Sequence, residues 1–179
     1  MPQTRRELRL PWPGSKAKET SEMLTVGERV PDVTLTGPEG REVRLRDQLG
    51  ARGLVIYFYP KDDTPGCTAE ACGFRDQYED FLEAGADVIG ISGDPPSSHK
   101  AFANKHSLPF RLLSDERGEA RRAFGVKATF GLLPGRATFV VDHEGTIRYA
   151  FSSQLRAREH VKRALEVVGG MTPQAAAQK

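Results

Sequence analysis

Two short, almost unbroken apolar runs dominate the hydrophobic pattern of this chain. Leu54-Val55-Ile56-Tyr57-Phe58-Tyr59 and Asp87-Val88-Ile89-Gly90-Ile91-Ser92 have the length and content of strands buried on both faces. Between them Ala71, Phe74, Tyr78, Phe81 and Leu82 recur at helical spacing, which predicts one helix over residues 65–84, stopped by Gly85. Thr64 stands where a helix takes its N-cap. Pro65 stands at the first helical position, where a missing N–H costs nothing. Upstream, residues 33–36 and 42–45 alternate around Gly37-Pro38-Glu39-Gly40 and predict a hairpin, followed by one helical turn over 46–49 that Gly50 ends. Downstream, Ser97 or Ser98 is placed to cap a helix that runs to His106. Residues 110–114 read as a short strand, 119–124 as a short helix and 125–135 as a loop broken by Gly131, Pro134 and Gly135. Residues 137–142 and 146–151 flank His143-Glu144-Gly145 as a second hairpin. A last helix over 156–168 puts Val161, Leu165 and Val168 on one face.

Strands alternating with helices, then a hairpin and a helix, predict an α/β domain: a mixed central sheet with helices on both faces. The domain is expected over residues 24–169. Residues 1–23, with Pro2, Pro11, Pro13 and Gly14 and no periodicity, read as a flexible extension, with Trp12 its one candidate for docking onto the domain. Residues 170–179 read as a fraying tail.

Composition changes little. At 28% charged and 38% hydrophobic the chain is an ordinary soluble type, long enough at 179 residues for one domain with a core. The net charge is +2, and the excess sits in residues 1–22, which hold five Lys/Arg against three Asp/Glu. A near-neutral domain argues against nucleic acid or an anionic membrane as partner. No apolar run approaches the ~20 residues of a membrane span. The first ten residues lack the apolar core of a secretory signal, and Glu7 and Glu19 argue against a transit peptide, so a cytoplasmic location is expected.

Cysteine usage changes more. The chain has two cysteines, Cys67 and Cys72. Cross-linking so short a loop constrains little, and a reducing compartment favours reactive over structural thiols. Cys67 falls in the first turn of the predicted helix, where unpaired N–H groups and the helix dipole favour a thiolate and a lowered pKa. Cys72 follows five residues on. Standard helix geometry rotates it by about 140° and separates the two Cα atoms by ~8.6 Å, beyond the ~7 Å that a disulfide can bridge. If the pair is to bond, the first turns must unwind; Gly66 and Gly73 flank the segment and weaken it by ~1 kcal/mol each relative to Ala.

Pro60-Lys61-Asp62-Asp63-Thr64-Pro65-Gly66-Cys67 resembles the Pro-x-x-x-Thr-x-x-Cys signature of peroxiredoxins. Continued through Thr68-Ala69-Glu70-Ala71-Cys72-Gly73-Phe74-Arg75-Asp76, it is similar to the bacterioferritin comigratory protein, or Q-type, subgroup. The resemblance covers residues 26–168. It implies a thioredoxin-like fold, with Cys67 as the peroxidatic and Cys72 as the resolving cysteine. It also implies that Pro60 shields the site and that Thr64 hydrogen-bonds sulfur and peroxide. The family's arginine before a late strand matches Arg136 in Gly135-Arg136-Ala137-Thr138-Phe139-Val140-Val141-Asp142. The implied activity is peroxide reduction without metal or organic cofactor, recycled by thioredoxin or a similar dithiol. A resolving cysteine in the same helix removes the need for a partner chain, so a monomer is expected.

Other candidates weigh less. His99 and His106 lie seven apart on a predicted helix, but without evident acidic or thiol partners they read as solvated or locally satisfied. Asp62 and Asp63 read as solvated loop carboxylates. Two cysteines are too few ligands for a structural metal. A disulfide reductase of the same fold would need Cys-x-x-Cys. A non-enzymatic redox sensor would use the same peroxide-sensitive thiol.

Overall fold

A computed structural model of the chain describes residues 22–49 and 53–171. Most of residues 1–23, including Trp12, lies outside the described residues, as do Gly50 and residues 172–179. The first apolar run forms β3 (Gly53–Phe58) and the second β4 (Ala86–Ser92), paired in parallel with Val55 opposite Val88 and Tyr57 opposite Gly90. The predicted hairpins appear as β1 (Thr34–Thr36) with β2 (Glu42–Arg44) and β6 (Ala137–Val141) with β7 (Ile147–Ser152), both antiparallel. With β5 (Arg111–Ser114) they make one seven-stranded mixed sheet among the described residues, in the order β2-β1-β5-β4-β3-β6-β7.

Side chains alternate across a strand, and β3 is buried throughout, so it feeds two cores. Leu54, Ile56 and Phe58 join Phe124, Phe139 and Ile147 on one face. There the short helix α4 (Glu119–Ala123), the 3-10 turn Leu45–Gln48 and the chain around Leu24 and Val30 cover the sheet. Val55, Tyr57 and Tyr59 join the other face, under α1 (Pro65–Asp76), α2 (Tyr78–Glu83), α3 (Pro96–His106) and α5 (Ala157–Gly170). Helices therefore stand on both faces, unevenly. Gly90 is required by its neighbours: a Cβ there would lie 2.7 Å from Leu112 and from the Tyr57 ring.

Four local expectations are corrected. The helix predicted over 65–84 breaks at Gln77 (φ −111°, ψ 13°) into α1 and α2. The break still lets Tyr78 reach Phe110 and Asp87 and lets Phe81 pack, tilted, against Phe74; these tertiary contacts leave no mark in a helical pattern. Thr64 occupies the N-cap position of α1, but its hydroxyl donates to the Lys61 carbonyl instead of accepting from the helix. At α3 the N-cap is Pro95, and the Ser98 hydroxyl donates to Asp62. The last helix runs to Gly170, two residues past its predicted end.

Candidate active site

The candidate site residues come from four stretches of chain, and Arg136 makes the hydrogen bond to the Cys67 sulfur. The end of β3 delivers Pro60, half-buried, and the loop that follows carries Thr64. Pro65 opens α1 and puts Cys67 in its first turn, pointed inward and only 1% exposed. Arg136 arrives 69 residues later, immediately before β6, and donates from Nη2 to the Cys67 Sγ at 3.3 Å. Its Nε donates to the Gln154 carbonyl at 3.3 Å, and its Nη1 donates to a carboxyl oxygen of Glu70. Two glycines allow the close packing here, Gly66 against Arg136 itself and Gly135 against the chain at Lys127. A Cβ at Gly135 would sit 2.0 Å from the Lys127 carbonyl oxygen, and one at Gly66 would sit 3.2 Å from Arg136 Nη2. Arg121, from α4, donates to the Gly135 and Tyr59 carbonyls and so ties the two strand ends that carry Arg136 and Pro60.

Glu70 lies one turn past Cys67 on the same face of α1 and is fully buried. Burial pushes its carboxyl up to about 8, against the pull of Arg136. Behind it, His160 of α5 is buried and lowered to about 4, chiefly by burial. Its two ring nitrogens face Thr138 Oγ1 (2.8 Å) and the Ser153 carbonyl (2.8 Å). The ring is therefore neutral with its proton on Nε2, and the Thr138 hydroxyl donates to Nδ1. Neither Glu70, His160 nor Arg121 was singled out in the sequence. The one available signal was a carboxylate three residues after Cys67, on a stripe otherwise apolar.

The loop 60–64 is anchored from α3. Asp62, expected to be solvated, is buried. Burial raises its carboxyl, but hydrogen bonds from His99, Tyr59 and Ser98 outweigh that and hold it below the usual carboxylate range. His99, expected to lack an acidic partner, is buried between Asp62 Oδ2 (2.9 Å) and the Leu113 carbonyl (3.2 Å). Asp62, Asp94 and His99 are close enough to meet on one ion, but their donor atoms are taken up in this network. Asp63 is exposed as expected, with its backbone left-handed (φ 58°).

Cys72 is half-buried on α1, its sulfur 3.9 Å from His106 Nδ1. Both cysteines are free thiols in one unbroken helix. The loop before Arg136 presents Phe130 (96% exposed) and Leu132 (91%). Leu155 (95%) stands beside Gln154, which donates to the Pro134 carbonyl.

A mixed sheet with a thiol at the N-terminus of the helix after β3, an inner strand, facing an arginine, defines a thioredoxin-like thiol enzyme. Residues 26–150 match the AhpC/TSA family, and the chain belongs to it. It is 49% identical over 160 residues to chloroplastic peroxiredoxin Q of Gentiana triflora, covering 88% of this chain and 73% of that one. The peroxidoxin BcpB of Mycobacterium tuberculosis superposes with a TM-score of 0.77 at 36% identity, over 83% of this chain and 99% of that one. The bacterioferritin comigratory protein of Xanthomonas campestris, described for its alkyl peroxide reduction, superposes at 0.73 and 32% identity, over 82% and 98% of the two chains. The fold is thioredoxin-like and the protein is a peroxiredoxin, a thiol peroxidase.

Proposed function

We propose that the protein reduces hydrogen peroxide and organic hydroperoxides at Cys67, that Cys72 resolves the product as an intrachain disulfide, and that thioredoxin or a similar dithiol recycles it. The observation that carries this reading is the 3.3 Å contact from Arg136 to the Cys67 sulfur at the start of α1. The Cys67 thiolate attacks the terminal peroxide oxygen. An S–O bond forms as the O–O bond breaks, and the leaving oxygen takes a proton to depart as water or an alcohol. Arg136 and the N–H groups of the first turn stabilise the charge on the breaking bond. The Thr64 hydroxyl donates to Lys61 and keeps its lone pairs for the peroxide O–H. Pro60 shields the sulfur from water. The exposed apolar side chains on the segments joined to Arg136, Phe130 and Leu132 before it and Leu155 after Gln154, support the organic hydroperoxide part of this reading.

Cys67 is then a sulfenic acid, which Cys72 converts to a disulfide by displacing water; exchange with an external dithiol restores both thiols. No metal or organic cofactor enters. With both cysteines in one helix the cycle needs no partner chain, and the reading is of a monomer in a reducing compartment such as the cytoplasm. An NADPH-coupled assay with thioredoxin and its reductase tests it. The wild type is expected to turn over, Cys67→Ser to be inactive and Cys72→Ser to be oxidised once and recycle poorly. Multi-turnover activity in Cys67→Ser would refute the assignment; single oxidation of the wild type without recycling would mark a sensor.

A further inference from the structure

We propose that His106 is the proton acceptor for the resolving thiol, with Asp63 as the residue that positions it. The inference rests on the reading of Cys72 as the resolving cysteine. Cys72, His106 and Asp63 come from α1, the last turn of α3 and the loop before α1. They stand in line: Cys72 Sγ to His106 Nδ1 at 3.9 Å, and His106 Nε2 to Asp63 Oδ1 at 3.6 Å. Nε2 is buried and, among the described residues, has no hydrogen-bond partner as close as a normal bond, so the Asp63 carboxylate is what it faces.

The surroundings hold that line in place. The His106 ring stands edge-on to Phe102 at 4.9 Å. The His106 carbonyl accepts from Arg75 Nη1 at 2.8 Å, which pins the end of α3 to the turn of α1 that follows Cys72. Lys105 holds the Asp63 carboxylate at 2.8 Å and, through that hydrogen bond, keeps it below the usual range. The charged and titratable groups facing His106 are thus Asp63, Lys105, Arg75 and Cys72 itself.

The chemistry needs such a group. An ordinary thiol, with a pKa of about 8.5, is only about 3% thiolate at pH 7, and only the thiolate attacks a sulfenic sulfur. Nδ1 takes the proton from Cys72 while Nε2–H points at Asp63. Once the first turns of α1 have opened, the Cys72 sulfur supplies the electron pair for the new S–S bond as the Cys67 S–O bond breaks. The oxygen leaves with that bond's electrons, and the proton given up by Cys72 returns to it through solvent to complete a water. Cys72 is oxidised and the Cys67 sulfenic sulfur reduced, with no further reactant.

Rapid-quench mass spectrometry of the full chain after one equivalent of peroxide, across pH 6–9, separates sulfenic acid from disulfide. In the wild type a Cys67–Cys72 bond is expected, with a formation rate that levels off below about pH 8.5. In His106→Gln, which keeps the volume and a polar edge, disulfide formation at pH 7 is expected to slow by about tenfold. That is within the ~30-fold ceiling set by full ionisation of an ordinary thiol, and the rate should keep rising tenfold per pH unit up to about 8.5. Asp63→Asn is expected to fall between the two, and both variants to accumulate more sulfinic acid under excess peroxide. The rate of sulfenic acid formation at Cys67 in the same traces is the reference for an intact fold. A wild-type rate and pH profile in both variants would overturn the inference while leaving Cys72 as the resolving residue. Absence of any Cys67–Cys72 bond in the wild type would overturn the underlying reading instead. Equal slowing of both steps in both variants would mark a structural role and also overturn it.

Discussion

Arg136 spends its guanidinium on three neighbours at once: the Cys67 sulfur, the Glu70 carboxyl group and the Gln154 carbonyl. A lysine keeps the charge but has no fork to divide among them. Arg136→Lys is therefore expected to lower kcat/KM for peroxide by about 10²–10³-fold, the usual loss for one oriented donor. Stopped-flow peroxide consumption measures it, and a loss below tenfold would mean the fork does not matter. His160 makes the second residue-scale prediction. Its folded pKa, about 4, lies below the ordinary 6.5 because the ring is buried. Stability drawn from the neutral ring is thus present above about pH 6.5 and lost as pH falls towards 4, by about 3 kcal/mol at most. Glu70 runs the opposite way: its carboxyl is raised to about 8, so its contribution is present below about 4.5 and lost as pH rises through 8. The difference between wild type and His160→Gln in urea melts from pH 7 to 4 isolates the histidine, and that difference is expected to shrink as the pH drops. A constant difference would contradict the neutral, doubly bonded ring.

At the scale of elements, α1 carries a conflict that its neighbours enforce. Cys67 and Cys72 lie in one intact helix about 8.6 Å apart between Cα atoms, and bonding them requires the first turns to open. What resists opening is identifiable. Gly73 packs against Val161 of α5, where a Cβ would already lie 3.1 Å from Cγ2, and Arg75 is tied to the end of α3. What permits it is also identifiable: Pro65 and Gly66 at the start, and no side-chain cap from Thr64. Hydrogen exchange is expected to show the amides of residues 66–72 losing protection in the peroxide-oxidised protein while α5 keeps its own. Unchanged protection in α1 after a disulfide has formed would exclude unwinding.

For the molecule as a whole, the sheet is the frame. Parallel β3 and β4 bring the site to their C-terminal ends, and the antiparallel β6 brings Arg136 back to the same place. That frame is packed closely enough for one methyl group to matter. Gly90→Ala would drive a Cβ to within 2.7 Å of Leu112 and Tyr57, and is expected to cost ~1–3 kcal/mol, read as a lower urea midpoint. A monomer in sedimentation, reduced and oxidised alike, is expected if the cycle is completed within one chain.

Elements whose signal is local were legible in the residues alone. The two buried strands, both hairpins and the start of α1 at Pro65 follow from period-2 and helical patterning and from turn chemistry, which act over a few neighbours. The same local geometry put Cys67 in a first helical turn and Cys72 out of its reach. Arg136 was reached only by resemblance, because nothing within its own neighbourhood says that a strand returning 69 residues later will aim it at a sulfur. Glu70 beneath that arginine, the buried Asp62–His99 pair, the break at Gln77 and the approach of His106 to Cys72 were decided by tertiary structure. Each joins residues whose meeting depends on strand order and helix docking, and a polar side chain in a one-dimensional pattern looks the same whether it will face water or another polar group. The chain by itself set where a reactive thiol would stand; the folded sheet decided which groups surround it.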